Sequence, residues 1–204
     1  MPMTEQSFVF TDWVRAQTRT WMARAGEALH RAGVHPDMLT VAGLAFVALA
    51  SFFIGRGQFQ LGGLVLVLGL PLDALDGAVA RAMGRADKFG GVLDSSLDRY
   101  ADAFIFGGLS YYFAVNNQFD TMLLAMAALA GSFVVSYVRA RAGEAGLSVK
   151  VGLFDRFVRV LVIVPSLFIP ALVPLAVLVL AVGTNFTGLQ RLWYVYRNTN
   201  QKEV

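Results

Sequence analysis

Asp73, Asp76, Asp94 and Asp98 are the residues of this sequence whose type and spacing point most directly to chemistry. Asp73 and Asp76 are three residues apart, and Asp94 and Asp98 are four apart. On helices, each spacing puts both carboxylates on one face. The stretch from Arg81 to Gly90 between the pairs is short, so the two helices are expected to be antiparallel neighbours with both pairs directed into one space. Each pair adjoins a long apolar run, and an ionised carboxylate at membrane depth costs a few kcal/mol. Four together would also repel, and Arg81 and Arg99 are too few to balance them. Hard divalent cations are the better counter-charge, because all-oxygen ligands without Cys or His suit Mg²⁺, Mn²⁺ or Ca²⁺ rather than zinc. Two such ions about 3.5–4 Å apart form the clamp used in phosphoryl chemistry. Intramembrane acids also mark ion routes in transporters. That reading requires acids spread through the bilayer depth, whereas these cluster at one end of their spans. Gly77 and Gly90 adjoin the acids. Small residues in membrane helices admit either a ligand or a neighbouring backbone.

The elements that must hold these residues are written in the apolar runs. The chain has 204 residues, 56% hydrophobic and only 15% charged, where a soluble domain carries nearer a quarter charged. A membrane-spanning helix needs about 20 apolar residues. Candidate spans are Leu39 to Ile54, Leu61 to Leu72, Val92 to Val115, Met122 to Val138, Val158 to Ile169 and Leu172 to Phe186, the last two divided at Pro170. Pro165, Pro170 and Pro174 could instead kink a single helix. Ahead of them, Thr11 to Ala32 alternates Trp13, Trp21 and Leu29 with Arg15, Arg19, Arg24 and Arg31, the pattern of a basic helix lying in the membrane interface. The expectation is an all-α membrane protein: an N-terminal amphipathic interfacial segment over 1–34, about six transmembrane helices forming a catalytic domain over 35–196, and a tail over 197–204.

Charge placement orients the bundle. Arg81, Arg85 and Lys88 fall between the second and third spans, and Arg139, Arg141, Lys150, Arg156 and Arg159 between the fourth and fifth. Arg191, Arg197 and Lys202 follow the sixth, while the opposite turns hold Arg56 alone. Basic residues stay on the cytoplasmic side, so both termini and the acid pairs are expected to face the cytoplasm, and the number of spans is even. No cleavable signal peptide is expected from the first residues, which carry Glu5 and lack an apolar core. The chain has no cysteine, which excludes disulfides and thiolate metal sites. His30 and His35 read as polar residues near the membrane surface. No nucleic-acid partner is expected.

The acids and their flanks resemble the signature of the CDP-alcohol phosphotransferase family, D-x-x-D-G-x-x-A-R, eight residues, then G-x-x-x-D-x-x-x-D. Asp73, Asp76, Gly77, Ala80, Arg81, Gly90, Asp94 and Asp98 meet every fixed position, and the likeness extends over most of the chain. The resemblance implies six membrane helices around a cytoplasm-facing polar cavity, a homodimer, and two Mg²⁺ (or Mn²⁺) ions held by Asp73, Asp76, Asp94 and Asp98. It implies that Asp98 is also the general base, and that Gly77, Ala80, Arg81 and Gly90 line the site of the CDP-linked donor. Pro36-Asp37-Met38-Leu39-Thr40 resembles the family's Pro-Asn-x-x-Thr element near the nucleotide, with Asp37 in place of Asn and Thr40 retained. Asp87 stands where several relatives have Ser or Thr near the nucleotide.

The choice of alcohol turns on other residues. Leu93 to Asp102 and Ser136-Tyr137-Val138-Arg139-Ala140-Arg141 resemble the phosphatidylinositol phosphate synthase branch. So does Gln190-Arg191. In Asp155-Arg156-Phe157-Val158-Arg159, Asp155 and Val158 replace the branch's two Glu residues. Glycerophosphate-transferring relatives more often carry a Pro where Ser95 stands and a Lys where Arg99 stands. Arg139, Arg141, Arg156, Arg159 and Arg191 are the candidate ligands of an acceptor phosphate, since guanidinium groups bind a phosphate dianion bidentately. They also satisfy the positive-inside rule or suit anionic lipid headgroups. The expected reaction moves phosphatidyl from CDP-diacylglycerol to inositol 1-phosphate, giving phosphatidylinositol phosphate and CMP. The alternative is the same chemistry on glycerol 3-phosphate or another alcohol. Asp102, one turn past Asp98, is expected to orient Arg99 or a metal-bound water, or to make a structural pair.

Overall fold

Seven helices follow one another in the computed structural model, which describes residues 10–84 and 88–200, with side chains for all of these except 10–20, 73, 88 and 200. They are α1 (Phe10–Arg31), α2 (Pro36–Gly55), α3 (Phe59–Ala82), α4 (Lys88–Val115), α5 (Phe119–Glu144), α6 (Arg156–Phe168) and α7 (Val173–Asn200), with a 3₁₀ turn at Pro170–Leu172 before α7. Among the described residues there is no strand. Each expected span falls within one of α2–α7, overrunning it by at most one residue, and most of the helices extend beyond the apolar run. The expected tail begins inside α7, which runs on to Asn200.

Among the described residues, four segments are long and apolar enough to cross a membrane: Pro36–Gly55, Phe59–Ala82, Phe119–Glu144 and Pro170–Thr199. The other two of the expected six differ for identifiable reasons. The 28 residues of α4 include Asp94, Asp98, Arg99 and Asp102 among the first fifteen. The 13 residues of α6 reach only about 20 Å, short of a hydrocarbon core of about 30 Å. With 56% hydrophobic residues and these four helices, the chain is an integral membrane protein. The proline question resolves as two helices. Pro165 lies inside α6, Pro170 opens the 3₁₀ turn, and Pro174 sits in the first turn of α7, where a missing N–H costs nothing.

The chain divides into two compact units. The first comprises 1–43 and 70–95, with α1, the start of α2, the end of α3 and the start of α4. Here Gly26 of α1 lies against α3 so closely that an added Cβ would stand 2.7 Å from the Ala78 carbonyl carbon. The second comprises 44–69 and 96–204. Its core gathers Ile54, Leu66, Leu109, Phe113, Leu167, Val177 and Leu180 around small residues such as Ala50, Ala125 and Ala128. The turns at Arg56–Gln58 and Asn116–Gln118 close alike. Gly57 (φ 77°) and Asn117 (φ 58°) take the left-handed conformation. Gln58 N–H then donates to Phe53 O and Gln118 N–H to Phe113 O, at 2.9 and 2.8 Å. This is the Schellman closure of a helix C-terminus, and it reverses the chain in three residues.

Between α5 and α7 the seam is small and polar. A Cβ on Gly131 would meet Thr184 Oγ1 at 2.2 Å. Thr184 donates to Leu180 O at 2.7 Å, and Asn185 Nδ2 donates across to Ala127 O at 2.9 Å. Small residues that let backbones close, with polar side chains bonding across, are how membrane helices associate without a hydrophobic driving force.

Candidate active site

In the first unit three helix ends converge on one cavity. Pro36, Asp37 and Thr40 come from the first turns of α2, Asp76, Gly77 and Ala80 from the last turns of α3, and Gly90, Gly91 and Asp94 from the start of α4. Seven of these nine were singled out from the sequence. The sequence marks Pro36 only as part of the Pro36–Thr40 element and not as a site residue, and Gly91 adjoins Gly90 without a mark of its own. Asp76 is buried, 8% exposed, and accepts a hydrogen bond from Thr40 Oγ1 at 2.8 Å. Asp37 lies 3.3 Å from His35 Nδ1. Gly77 and Gly90 keep the walls low: their Cβ positions would point at Arg81 Nη1 (3.3 Å) and Asp37 Oδ1 (4.0 Å). Arg81 is exposed one turn beyond Gly77 and is not among the lining residues. Asp87, expected near a nucleotide, lies outside the described residues, as does the side chain of Asp73.

Among the described residues no group of three or more His, Cys, Asp or Glu is placed to hold a metal ion. What the cavity does present is three carboxylates, Asp37, Asp76 and Asp94, with the Thr40 hydroxyl and no sulfur or imidazole donor among its lining residues. Such a donor set fits a hard divalent cation.

Asp98 belongs to the second unit, where it meets the arginines. Arg156 Nη1 lies 2.7 Å from Asp98 Oδ1, and Arg159 Nη2 lies 2.7 Å from Asp102 Oδ2. The two pairs match by helical register, since Asp98 and Asp102 are one turn apart on α4 and Arg156 and Arg159 one turn apart on α6. Asp102 therefore pairs with Arg159, a partner 57 residues away. Arg159 is 4% exposed, and its Nε is buried without a hydrogen-bond partner among the described residues. Asp155 sets the start of α6 by accepting from Val158 N–H at 3.0 Å.

Arg191, on α7, is also buried at 4%. It donates through Nε to Val151 O at 3.0 Å and through Nη1 to Val135 O at 2.8 Å. Arg139, Arg159 and Asp155 lie within electrostatic reach of it. The loop 145–155 is thereby tied to α7, with a second tie from Phe154 N–H to Thr187 Oγ1 at 3.2 Å. Thr187 was not anticipated, because nothing in its neighbourhood in the sequence marks it. Of the five arginines, Arg139, Arg159 and Arg191 come together, and Arg156 pairs with Asp98. Arg141 instead turns to Glu144 at the exposed end of α5.

Known proteins resemble this chain along most of its length. It is 37% identical over 182 residues to the archaetidylinositol phosphate synthase of Pyrococcus horikoshii, covering 88% of this chain and 93% of that one. It is 36% identical over 190 residues to the phosphatidylinositol phosphate synthase of Streptomyces avermitilis, covering 86% and 78%. Among solved structures, Mycobacterium tuberculosis phosphatidylinositol phosphate synthase with CDP-DAG bound superposes with a TM-score of 0.81 at 28% identity, over 86% of this chain and 93% of that one. The same enzyme with manganese and citrate gives 0.80, over 86% and 88%. The family model for CDP-alcohol phosphatidyltransferase matches residues 33–189, which takes in the cavity, both acid pairs and the arginines Arg139, Arg141, Arg156 and Arg159. This chain belongs to the CDP-alcohol phosphatidyltransferase family.

Proposed function

We propose that this membrane transferase moves the phosphatidyl group of CDP-diacylglycerol to inositol 1-phosphate, forming phosphatidylinositol phosphate and releasing CMP. The observation that carries the acceptor is the agreement among the relatives. Two of them are named for different lipids, archaetidyl and phosphatidyl, yet both are named for an inositol phosphate product. The cluster of Arg139, Arg159 and Arg191 supports the same acceptor, since a phosphate dianion is the ligand that repays gathering guanidinium groups. The cavity lined by Asp37, Thr40, Asp76, Gly77, Ala80, Gly90 and Asp94 supports a donor site there, and the family pattern adds Arg81 and Asp87 as further donor-binding candidates.

The roles follow from charge. Two divalent ions, Mg²⁺ or Mn²⁺, held by Asp73, Asp76, Asp94 and Asp98, would neutralise the donor's pyrophosphate and the departing CMP. Asp98 takes the proton from the acceptor hydroxyl as that oxygen attacks the phosphatidyl phosphorus and the bond to CMP breaks. Arg156 holds Asp98 in place. Arg139, Arg141, Arg159 and Arg191 bind or frame the acceptor's phosphate. The finer topology belongs to the same reading: six crossings formed by α2–α7, α1 in the interface, both termini cytoplasmic, and a homodimer.

The test is CMP release by the purified protein with CDP-diacylglycerol and Mg²⁺, offering inositol 1-phosphate, glycerol 3-phosphate, free inositol and serine in parallel. Release that requires inositol phosphate and disappears with EDTA is expected. Release with glycerol 3-phosphate in its place would keep the donor chemistry and overturn the acceptor.

A further inference from the structure

We propose that Thr40 is a positioning residue whose hydroxyl orients the Asp76 carboxylate for a divalent cation. This deepens, and rests on, the metal reading above. Thr40 Oγ1 donates to Asp76 Oδ2 at 2.8 Å, between residues 36 apart in sequence. The alternative acceptor for that hydroxyl is Pro36 O, one turn back on α2, at 3.2 Å. A helical Thr commonly bonds this carbonyl. The hydroxyl has one proton, and the shorter distance assigns it to the carboxylate. Asp76 is buried at the cavity wall, where a carboxylate must be held by hydrogen bonds or charge.

The donor is stiff at both ends. Thr is β-branched, which restricts its first side-chain torsion in a helix. Its helix begins at Pro36, whose ring fixes the backbone at the first helical position. The bond fixes Oδ2 of a carboxylate that lines the same cavity as Asp94. A hydrogen bond from outside the coordination sphere that turns a ligand toward its metal is a recurring device, and losing it costs about 10–100-fold in metal affinity.

The experiment titrates Mn²⁺ alone into the purified full-length chain in detergent, without nucleotide or lipid substrate, and reads free Mn²⁺ by electron paramagnetic resonance. Thr40→Val keeps the branched shape and removes the donor. Thr40→Ala removes the donor without the second branch, and Thr40→Ser keeps the hydroxyl. Mn²⁺ affinity is expected to fall about 10–100-fold in the Val and Ala variants and to stay within about threefold of wild type in the Ser variant. Undiminished Mn²⁺ binding by Thr40→Val or Thr40→Ala, with wild type binding normally, would overturn the proposal and leave the metal site standing. A Ser variant that falls as far as Val would overturn it too, since the methyl group and not the hydroxyl would then matter. Failure of wild type itself to take up Mn²⁺ would remove the metal reading and this proposal together.

Discussion

Asp98 and Asp102 are one turn apart on α4, and their environments set different tasks. Asp98 is 21% exposed and faces Arg156, 37% exposed, so its carboxylate stays within reach of a substrate. Asp102 and Arg159 are 13% and 4% exposed, a more deeply placed pair within the second unit. Replacing Asp98 by Asn keeps the shape and removes the proposed general base. The expected result is retained donor binding with CMP release slower by about 10²–10⁴-fold, the usual contribution of a general base. Full turnover by Asp98→Asn would remove it from that role. Arg139 is exposed at the end of α5 yet within electrostatic reach of Arg191. Arg139→Ala is expected to raise the KM for inositol phosphate about tenfold or more, the equivalent of one charge-assisted hydrogen bond. The KM for CDP-diacylglycerol should not move, and initial-rate kinetics in both substrates would separate the two. Equal changes in both constants would place Arg139 outside the acceptor site.

At the scale of elements, α5 and α7 meet along a seam whose two glycines of interest have opposite surroundings. Gly131 faces Thr184 and the backbone of Asn185, so its Cβ would arrive 2.2 Å from Thr184 Oγ1 and 2.8 Å from Asn185 N. Gly143, the next-to-last residue of α5, has nothing within 4 Å of its Cβ position. Gly131→Ala should therefore destabilise by about 1–3 kcal/mol, the cost of overpacking. Gly143→Ala should hold or gain up to about 1 kcal/mol, because Ala is the better helix former. Thermal unfolding in detergent would compare them, and a fall for both would show that something other than the seam is responsible. The same seam explains the ties from Thr187 and Arg191. They hold the loop that leads into α6, and α6 carries Arg156 and Arg159.

On the scale of the whole molecule, the distribution of apolar residues is that of a protein dissolved in lipid. Large side chains such as Leu49, Phe52, Leu64, Leu68, Leu123 and Leu178 are exposed, far more apolar surface than a soluble monomer presents. Inside the second unit, by contrast, Ala50, Ala125 and Ala128 are fully buried. The basic residues then predict orientation. Reporter fusions at both ends of the chain should report the cytoplasmic side, as six crossings and the Lys and Arg positions require. An external C-terminus would mean an odd number of crossings and would point to the 13-residue α6 as the helix that does not cross.

The helices and the family were legible in the chain without coordinates. Apolar runs of membrane length admit almost no structure but a helix, because backbone groups in lipid must bond within their own segment. The acid–glycine pattern from Asp73 to Asp98 fixes residue types at spacings that few other chains would meet. Prolines at 165, 170 and 174 were ambiguous, since a proline tolerated inside one helix and a proline starting another look alike until the turn between them is seen. What only the tertiary structure decided is pairing at a distance. Asp102 with Arg159, Asp98 with Arg156, Thr40 with Asp76, and Arg191 with the carbonyls of Val135 and Val151 all join residues from separate helices or from a loop. Periodicity states which face of a helix a residue occupies. The partner depends on how the helices pack, and that is settled by close approaches at residues such as Gly26 and Gly131, where the absence of a side chain sets how near two backbones come.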